Sequence, residues 1–133
     1  KENERFLLEA KTYQAIEILN FGWINCDRFG NETGPKSNIE LRVEDSLITT
    51  AQFYLVFKDI KSTMSDVFYK QQKTAAFQQI PSGKNVVIIG LAVRNGDCYI
   101  FEHSMTTPNE NKVVPVVFTK TTQEDLVKSI KKI

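Results

Sequence analysis

The segment Val-Val-Ile-Ile-Gly-Leu-Ala-Val-Arg-Asn-Gly-Asp-Cys-Tyr-Ile-Phe-Glu-His, residues 86–103, is the strongest structural signal in the chain. Its centre, Asn95–Gly96, is the preferred pair for a two-residue β-hairpin loop, because both residues tolerate the positive φ of a type I′ turn. A two-residue loop also fixes the strand register. Arg94 is therefore expected to face Asp97, and the pairing continues residue by residue away from the turn.

This register divides the hairpin side chains between two faces, because successive residues of a strand point to opposite sides. The first face, which we expect to be core, carries Val87, Ile89, Leu91, Val93, Cys98 and Ile100. The second face carries Ile88, Gly90, Ala92, Arg94, Asp97, Tyr99, Phe101 and His103. On the second face the aromatic rings can lie over the small residues opposite, which offsets the weakness of a glycine inside a strand.

Several other segments have the composition of β-strands. Phe53–Ile60 is rich in β-branched and aromatic residues, and both of its faces are apolar, as expected for the central strand of a covered sheet. Val113–Lys120 is predicted as an edge or bulged strand, because Pro115 cannot donate a backbone hydrogen bond. Further strands are predicted at 12–19, 39–43, 66–70 and 74–79, with turns at 30–38 and 81–84.

A helix is predicted over residues 122–133. Thr121 is expected to cap it, and Glu124 three residues later completes a capping box. The apolar positions of this helix form one stripe, made of Leu126, Val127, Ile130 and Ile133. Because a stripe this apolar should be buried, we expect the helix to cover the second face of the hairpin, where Tyr99 and Phe101 lie.

Length and composition favour one ordinary globular domain. The chain has 133 residues, of which 41% are hydrophobic and 25% charged. A formal net charge of +1 without a Lys/Arg cluster argues against a nucleic-acid partner, and no apolar run is long enough for a transmembrane segment. We therefore expect a mainly β, antiparallel β-sandwich-like single domain over residues 1–133 with a C-terminal α-helix, in which residues 1–12 form a flexible or helical arm.

The run Phe-Gly-Trp-Ile-Asn-Cys-Asp-Arg-Phe, residues 21–29, holds the only tryptophan and one of the two cysteines. In an extended conformation Trp23, Asn25 and Asp27 share one face. In a structural interpretation Trp23 fills the core and the two polar side chains satisfy backbone groups at a bend, which is favoured because Trp and Cys are usually well buried. In a functional interpretation the same residues form a platform for a ligand.

No combination of residues indicates a catalytic or metal site. His103, the only histidine, is on the second hairpin face, whereas Cys98 is on the first. One histidine and two distant cysteines lack the spacing of a zinc site, and no calcium-loop motif is present. We predict no catalytic residue, no metal, no cofactor and free thiols at Cys26 and Cys98. The candidate ligand-binding residues are Trp23, Asn25, Asp27, Tyr99 and Phe101.

Residues 22–29, together with Phe53–Ser62 and Ile80–Gly83, resemble a domain of Bacteroidetes secreted and surface proteins that carries a Gly-Trp-Ile-Asn-Cys-Asp-x-Phe segment. The resemblance covers residues 13–130. It implies a secreted or cell-envelope location and a non-enzymatic structural or binding module, with envelope proteins or glycans as partners; it supplies no catalytic residues. Two alternatives stay open: a hydrolase of an extracellular polymer, which needs a cleft lined with acids, and a periplasmic protein that binds a small ligand.

Overall fold

A computed structural model describes residues 24–25, 34–59, 62–71 and 74–131. This part of the chain forms one small, mainly β domain with a short helix near the C-terminus, as predicted. The elements are β1 (Ile24–Asn25), β2 (Lys36–Val43), β3 (Thr50–Phe57), β4 (Ser62–Tyr69), β5 (Thr74–Pro81), β6 (Asn85–Arg94), β7 (Asp97–Thr106), β8 (Lys112–Val116), β9 (Thr119–Thr121) and α1 (Gln123–Lys131).

The strands form two sheets. The large sheet has the strand order β1-β4-β3-β6-β7-β9, and the small sheet has the order β5-β2-β8. The pairs β1–β4 and β2–β8 are parallel, whereas the other neighbouring strands are antiparallel. The sandwich-like antiparallel architecture expected from the sequence is therefore confirmed.

The β6–β7 hairpin has the predicted register. Arg94 pairs with Asp97, and the ladder continues without a bulge to the pair of Asn85 and Thr106. The loop residues Asn95–Gly96 have φ values of 52° and 79°, the positive values that a type I′ turn requires. Two adjacent residues thus set the pairing of twenty strand residues, ten in each strand.

The second face of the hairpin packs against the small sheet. The cluster between the sheets consists of Ile39, Leu41, Ile48, Ala51, Phe53, Leu55, Phe57, Phe68, Ala75, Phe77, Ile80, Val86, Ile88, Ala92, Val114, Val116 and Phe118, with Val43, Met64, Tyr99, Phe101 and Met105 partly buried against it. Strand β3 lies between β4 and β6 and contributes side chains on both of its faces, which confirms that it is a central strand.

The helix covers the first face of the hairpin, so the sequence-based expectation for its position was wrong. Leu126 is 1% exposed. It belongs to a cluster that otherwise contains Val56, Val87, Ile89, Leu91 and Cys98, with Tyr54, Val93 and Ile100 partly buried against it. The face that carries Tyr99 and Phe101 is already covered by the small sheet, and α1 therefore buries Leu126 on the opposite side.

Gly90 allows close packing at the centre of the core. A Cβ atom at this position would lie 2.6 Å from Cε1 of Phe53 and 3.1 Å from Cε1 of Phe118. The rings of Phe53 and Phe118 are tilted by 42°, with centroids 6.0 Å apart. Because β6 has no side chain here, the ring of Phe53 from β3 occupies that space, whereas the sequence had suggested an aromatic ring of β7 beside this glycine.

A set of hydrogen bonds fixes the end of β7. The Thr107 hydroxyl is buried, donates to Pro81 O at 2.7 Å and accepts from the Lys84 N–H at 2.8 Å. The Thr107 N–H also donates to Lys84 O at 2.8 Å. Nearby, the Ser37 and Ser82 hydroxyls both donate to the same acceptor, Pro108 O. These contacts join β2, β5, β6 and β7 at one end of the sandwich.

Several predicted boundaries differ from the structure. The segment predicted as one strand over 113–120 divides into β8 in the small sheet and β9 in the large sheet, and the buried side chain of Phe118 lies between them. Pro115 lies in β8, an edge strand, as expected. Strands β2, β4 and β5 are longer than predicted. The predicted arm at 1–12 and strand at 12–19 lie outside the described residues.

The helix cap is one residue later than predicted. Thr121 still pairs with Cys98 as the last residue of β9. Thr122 is the N-cap, because its hydroxyl accepts the Asp125 N–H at 3.1 Å and its carbonyl accepts the Leu126 N–H at 2.9 Å. Of these two consecutive threonines, Thr121 therefore ends strand β9 and Thr122 begins the helix as its N-cap.

Replacing Leu126 with alanine tests the position of α1. In a Cys26→Ser background, Leu126→Ala should lower the free energy of unfolding by about 2–5 kcal/mol and speed the reaction of the Cys98 thiol with a thiol reagent in the native protein. Lys128→Ala is the control, since that side chain is 64% exposed. A thiol reaction in Leu126→Ala as slow as in the parent would contradict the packing of the helix on this face.

Candidate functional site

The structure separates the sequence-predicted candidate residues. Asn25 lies in β1, where it pairs with Thr63 of β4, whereas Trp23 and Asp27 lie outside the described residues. Tyr99 and Phe101 lie on β7. Because β1 and β7 are four inter-strand spacings apart in the large sheet, Asn25 is more than about 19 Å from these aromatic residues and does not share a site with them.

Tyr99 and Phe101 belong to a row of side chains along β7. Met105 and these two residues are partly buried against the cluster between the sheets. His103 is half-buried in the same row, and its ring stacks on that of Phe101 with centroids 6.1 Å apart and planes 14° apart. The row therefore combines core packing with partial exposure near one margin of the sheet.

The outer side of β7 is only partly occupied. Strand β9 pairs with β7 at Cys98, Tyr99 and Ile100, and its pairing ends there. No other strand in the described part of the chain pairs with the outer side of β7. Among the described strands, residues 101–106 of β7 therefore have no partner on their outer side; we call this segment the β7 edge.

The hairpin register determines which backbone groups this edge presents. Arg94 and Asp97 flank the two-residue loop as a hydrogen-bonded pair, and hydrogen-bonded and non-hydrogen-bonded pairs then alternate along the hairpin. The odd-numbered residues of β7 thus bond to β6, whereas Glu102, Ser104 and Thr106 direct their N–H and C=O groups outward. Within the described residues, these three outward backbone sites have no backbone partner.

Most other strand edges of the described chain carry features that hinder further pairing; the exception is β4, which pairs with β1 only at Ser62 and Thr63 and has no described strand partner on that side at residues 64–69. The outer side of β5 is capped where the Asp66 carboxylate accepts the Ala76 N–H at 3.0 Å. Strand β8 contains Lys112 and Pro115, and β9 is three residues long with Lys120 at its centre. Strand β1 has two residues. Lysine, proline and glycine are all absent from the β7 edge.

Polar side chains elsewhere in the described chain mostly bind the backbone or form exposed ion pairs. Asp45 accepts the Leu47 N–H, and the Asn38 and Asn111 side chains each accept a backbone N–H. The ion pairs are Arg42–Glu40, Lys120–Asp97 and Lys128–Glu124, at 3.5–3.6 Å. Among the described residues, no group of three or more His, Cys, Asp or Glu side chains could hold a metal ion.

Cys98 is a free, buried thiol with 7% exposure. Burial raises the pKa of this thiol above its ordinary value, and the negative charge of Asp97 raises it further. Cys98 lies in the cluster under α1, whereas His103 lies in the row on the opposite face of the large sheet. Burial and the charge of Asp97 thus disfavour the thiolate, which is the nucleophilic form of Cys98. No imidazole lies next to the thiol. Cys26 lies outside the described residues.

Comparisons with known proteins give no relative. A scan against protein-family models, a search of curated proteins and a search of solved structures each found no match. The similarity to the Bacteroidetes surface-protein domain stays a resemblance carried by the residues quoted above. Within the described chain, no helix has the length and apolar character needed to cross a membrane.

Two of the sequence-predicted candidates lie on β7, but the sequence did not indicate the unpaired edge of this strand. Tyr99 and Phe101 were candidates because of their side chains. The groups without a strand partner in the described chain are instead the outward N–H and C=O groups of Glu102, Ser104 and Thr106. The hairpin register already determines which N–H groups of β7 point away from β6. The register does not indicate that β9 pairs only with residues 98–100. The extent of this pairing depends on where the chain, after β8 in the small sheet, joins the large sheet as β9.

Proposed function

We propose that this chain is a non-enzymatic structural or binding module of a secreted or cell-envelope protein, and that it binds a polypeptide partner at the β7 edge. The observation that carries this proposal is the run of residues 101–106, whose outward backbone groups have no strand partner in the described chain. An open edge of this kind is a template for an added strand, because its N–H and C=O groups match those of an extended peptide.

The side chains of β7 support recognition as well as pairing. In strand addition, backbone hydrogen bonds supply affinity, and contacts to alternate side chains supply specificity. Phe101, His103 and Met105 alternate along the edge and keep part of their surface exposed. An added strand can therefore contact an aromatic ring, an imidazole and a thioether on one face. Among the partners expected for an envelope module, these groups favour a protein over a glycan.

The use of polar side chains supports a non-enzymatic role. A hydrolase requires acids that converge on a cleft. Of the described acids, Asp45 and Asp66 accept backbone N–H groups, and Glu40 and Asp97 pair with exposed cations, all in separate places. The buried thiol of Cys98 has a raised pKa, which is the opposite of what nucleophilic catalysis needs. Release of soluble products from a glycan or protein polymer by the purified chain would contradict this part of the proposal.

Selection from a random peptide library tests binding at the edge. Peptides selected on the parent protein should bind it and lose binding to Ser104→Pro, because proline removes an outward N–H while leaving the bonds to β6 in place. Ser104→Ala keeps that N–H and is the matched control. If every selected peptide binds Ser104→Pro as well as it binds the parent, the site lies elsewhere and the edge is not the binding surface.

The proposed location rests on the resemblance to Bacteroidetes surface proteins and has its own test. In a Bacteroidetes host that expresses the gene product with an epitope tag, the tag should appear in the cell-envelope fraction or the culture medium. A cytoplasmic enzyme and a known envelope protein serve as fractionation controls. Recovery of the tag with the cytoplasmic enzyme would reject the proposed location while leaving the edge-binding experiment unaffected.

A further inference from the structure

We propose that the β7 edge binds the β7 edge of a second copy of this chain, in an antiparallel arrangement with a twofold axis at Ser104. This inference rests on the proposed function, because it names the partner of the same edge. The two large sheets then join into one continuous sheet. The pairing is isologous, so each copy contributes the same residues and the assembly closes as a dimer.

The open window on β7 is symmetric about Ser104. Pairing with β9 ends at Ile100 on one side of the window. On the other side the chain leaves the strand at Thr107, whose hydroxyl and N–H are held by Pro81 and Lys84. The residues midway between these limits are 103 and 104, and Ser104 is the one whose backbone groups point outward. An antiparallel copy can therefore fit between β9 and the end of β7 without displacing either.

The twofold register satisfies every outward backbone group in the window. Ser104 faces Ser104 of the partner copy, and Glu102 faces Thr106 in both directions. All of these residues have outward N–H and C=O groups, so each facing pair can exchange two hydrogen bonds, as hydrogen-bonded antiparallel pairs do. A register shifted by one residue would instead place the outward groups of one copy against residues whose N–H already bonds to β6.

Charge also favours this register. Glu102 is the only acidic or basic side chain, apart from His103, among residues 101–106, and it is exposed. In the proposed register each Glu102 faces Thr106 of the other copy. The two Glu102 side chains are then four residues, or about 14 Å, apart along the joined strands. A twofold axis at Glu102 would place the two carboxylates directly opposite each other, which is destabilising. The acid therefore discriminates against the competing symmetric register.

The partly buried row gains cover in this arrangement. Met105 of one copy faces His103 of the other, so both side chains lose part of their remaining exposure beside Phe101. The added contact lies on the margin of the cluster between the sheets, where these side chains are now incompletely covered. Pairing at the edge thus extends the apolar core from one copy to the next.

Sedimentation analysis over a range from low micromolar to millimolar concentration tests the proposal. The parent and Ser104→Ala should convert from monomer to dimer as concentration rises, whereas Ser104→Pro should stay monomeric with an unchanged circular dichroism spectrum and melting temperature. A parent that stays monomeric over the whole range, or a Ser104→Pro variant that dimerises equally well, overturns the inference.

Amide hydrogen exchange identifies the surface used. In the dimer, the amides of Glu102, Ser104 and Thr106 should exchange more slowly than in the monomer, while the inward amides of Phe101 and His103 stay protected in both. Dimerisation without slower exchange at the even-numbered residues would place the interface elsewhere and contradict the proposal. If the protein is monomeric yet binds peptides that Ser104→Pro rejects, the edge function stands and only the second copy is excluded as the partner.

Discussion

The contact of Phe53 with Gly90 determines how closely the strands and side chains pack at the centre of this domain. Phe53 is fully buried on β3, and its ring occupies the space where a side chain of the neighbouring β6 would otherwise lie. Phe118, from the link between the small and large sheets, packs against the same ring and the same glycine. A strand glycine is normally unfavourable, but here its missing side chain makes room for two aromatic rings.

This packing explains where the domain can bind other molecules. One face of the large sheet is covered by the small sheet, and the other face carries the cluster that includes Leu126 of α1. Most side chains of the central strands β3 and β6 are consequently buried, although Thr50 and Gln52 of β3 stay exposed. Among the described strands, none pairs with the outer side of β7 beyond Ile100, where the pairing with β9 stops. The surface proposed for binding is therefore a product of the topology rather than of an unusual group of side chains.

Much of the fold could be predicted because its main signals are local. The Asn95–Gly96 turn sets the β6–β7 register through backbone geometry alone, and the apolar composition of both faces identified β3 as a central strand. The side of the sheet that α1 covers could not be predicted in this way. Both hairpin faces are apolar, and the choice depends on the small sheet, whose strands come from distant parts of the sequence.

The division of residues 113–120 between two sheets also could not be predicted from the sequence. Pro115 was expected to mark the irregularity, but it fits within the edge strand β8, and the chain changes sheets around the buried Phe118. Which sheet each half joins is decided by long-range pairing with β2 and β7. The open edge of β7 follows from the same division, because the half that reaches the large sheet is only three residues long.

The stability of Gly90→Ala tests whether close packing at this glycine organises the core. If Phe53 fills the space as described, the added methyl group should lower the free energy of unfolding by about 1–3 kcal/mol, since a fully buried ring cannot move aside cheaply. The loss should shrink in a Phe53→Leu background, as expected for two residues in direct contact. If the space at Gly90 were open, Gly90→Ala would instead raise the free energy of unfolding by about 0.5–1 kcal/mol, because alanine is less flexible than glycine in the unfolded chain. That result would contradict this account.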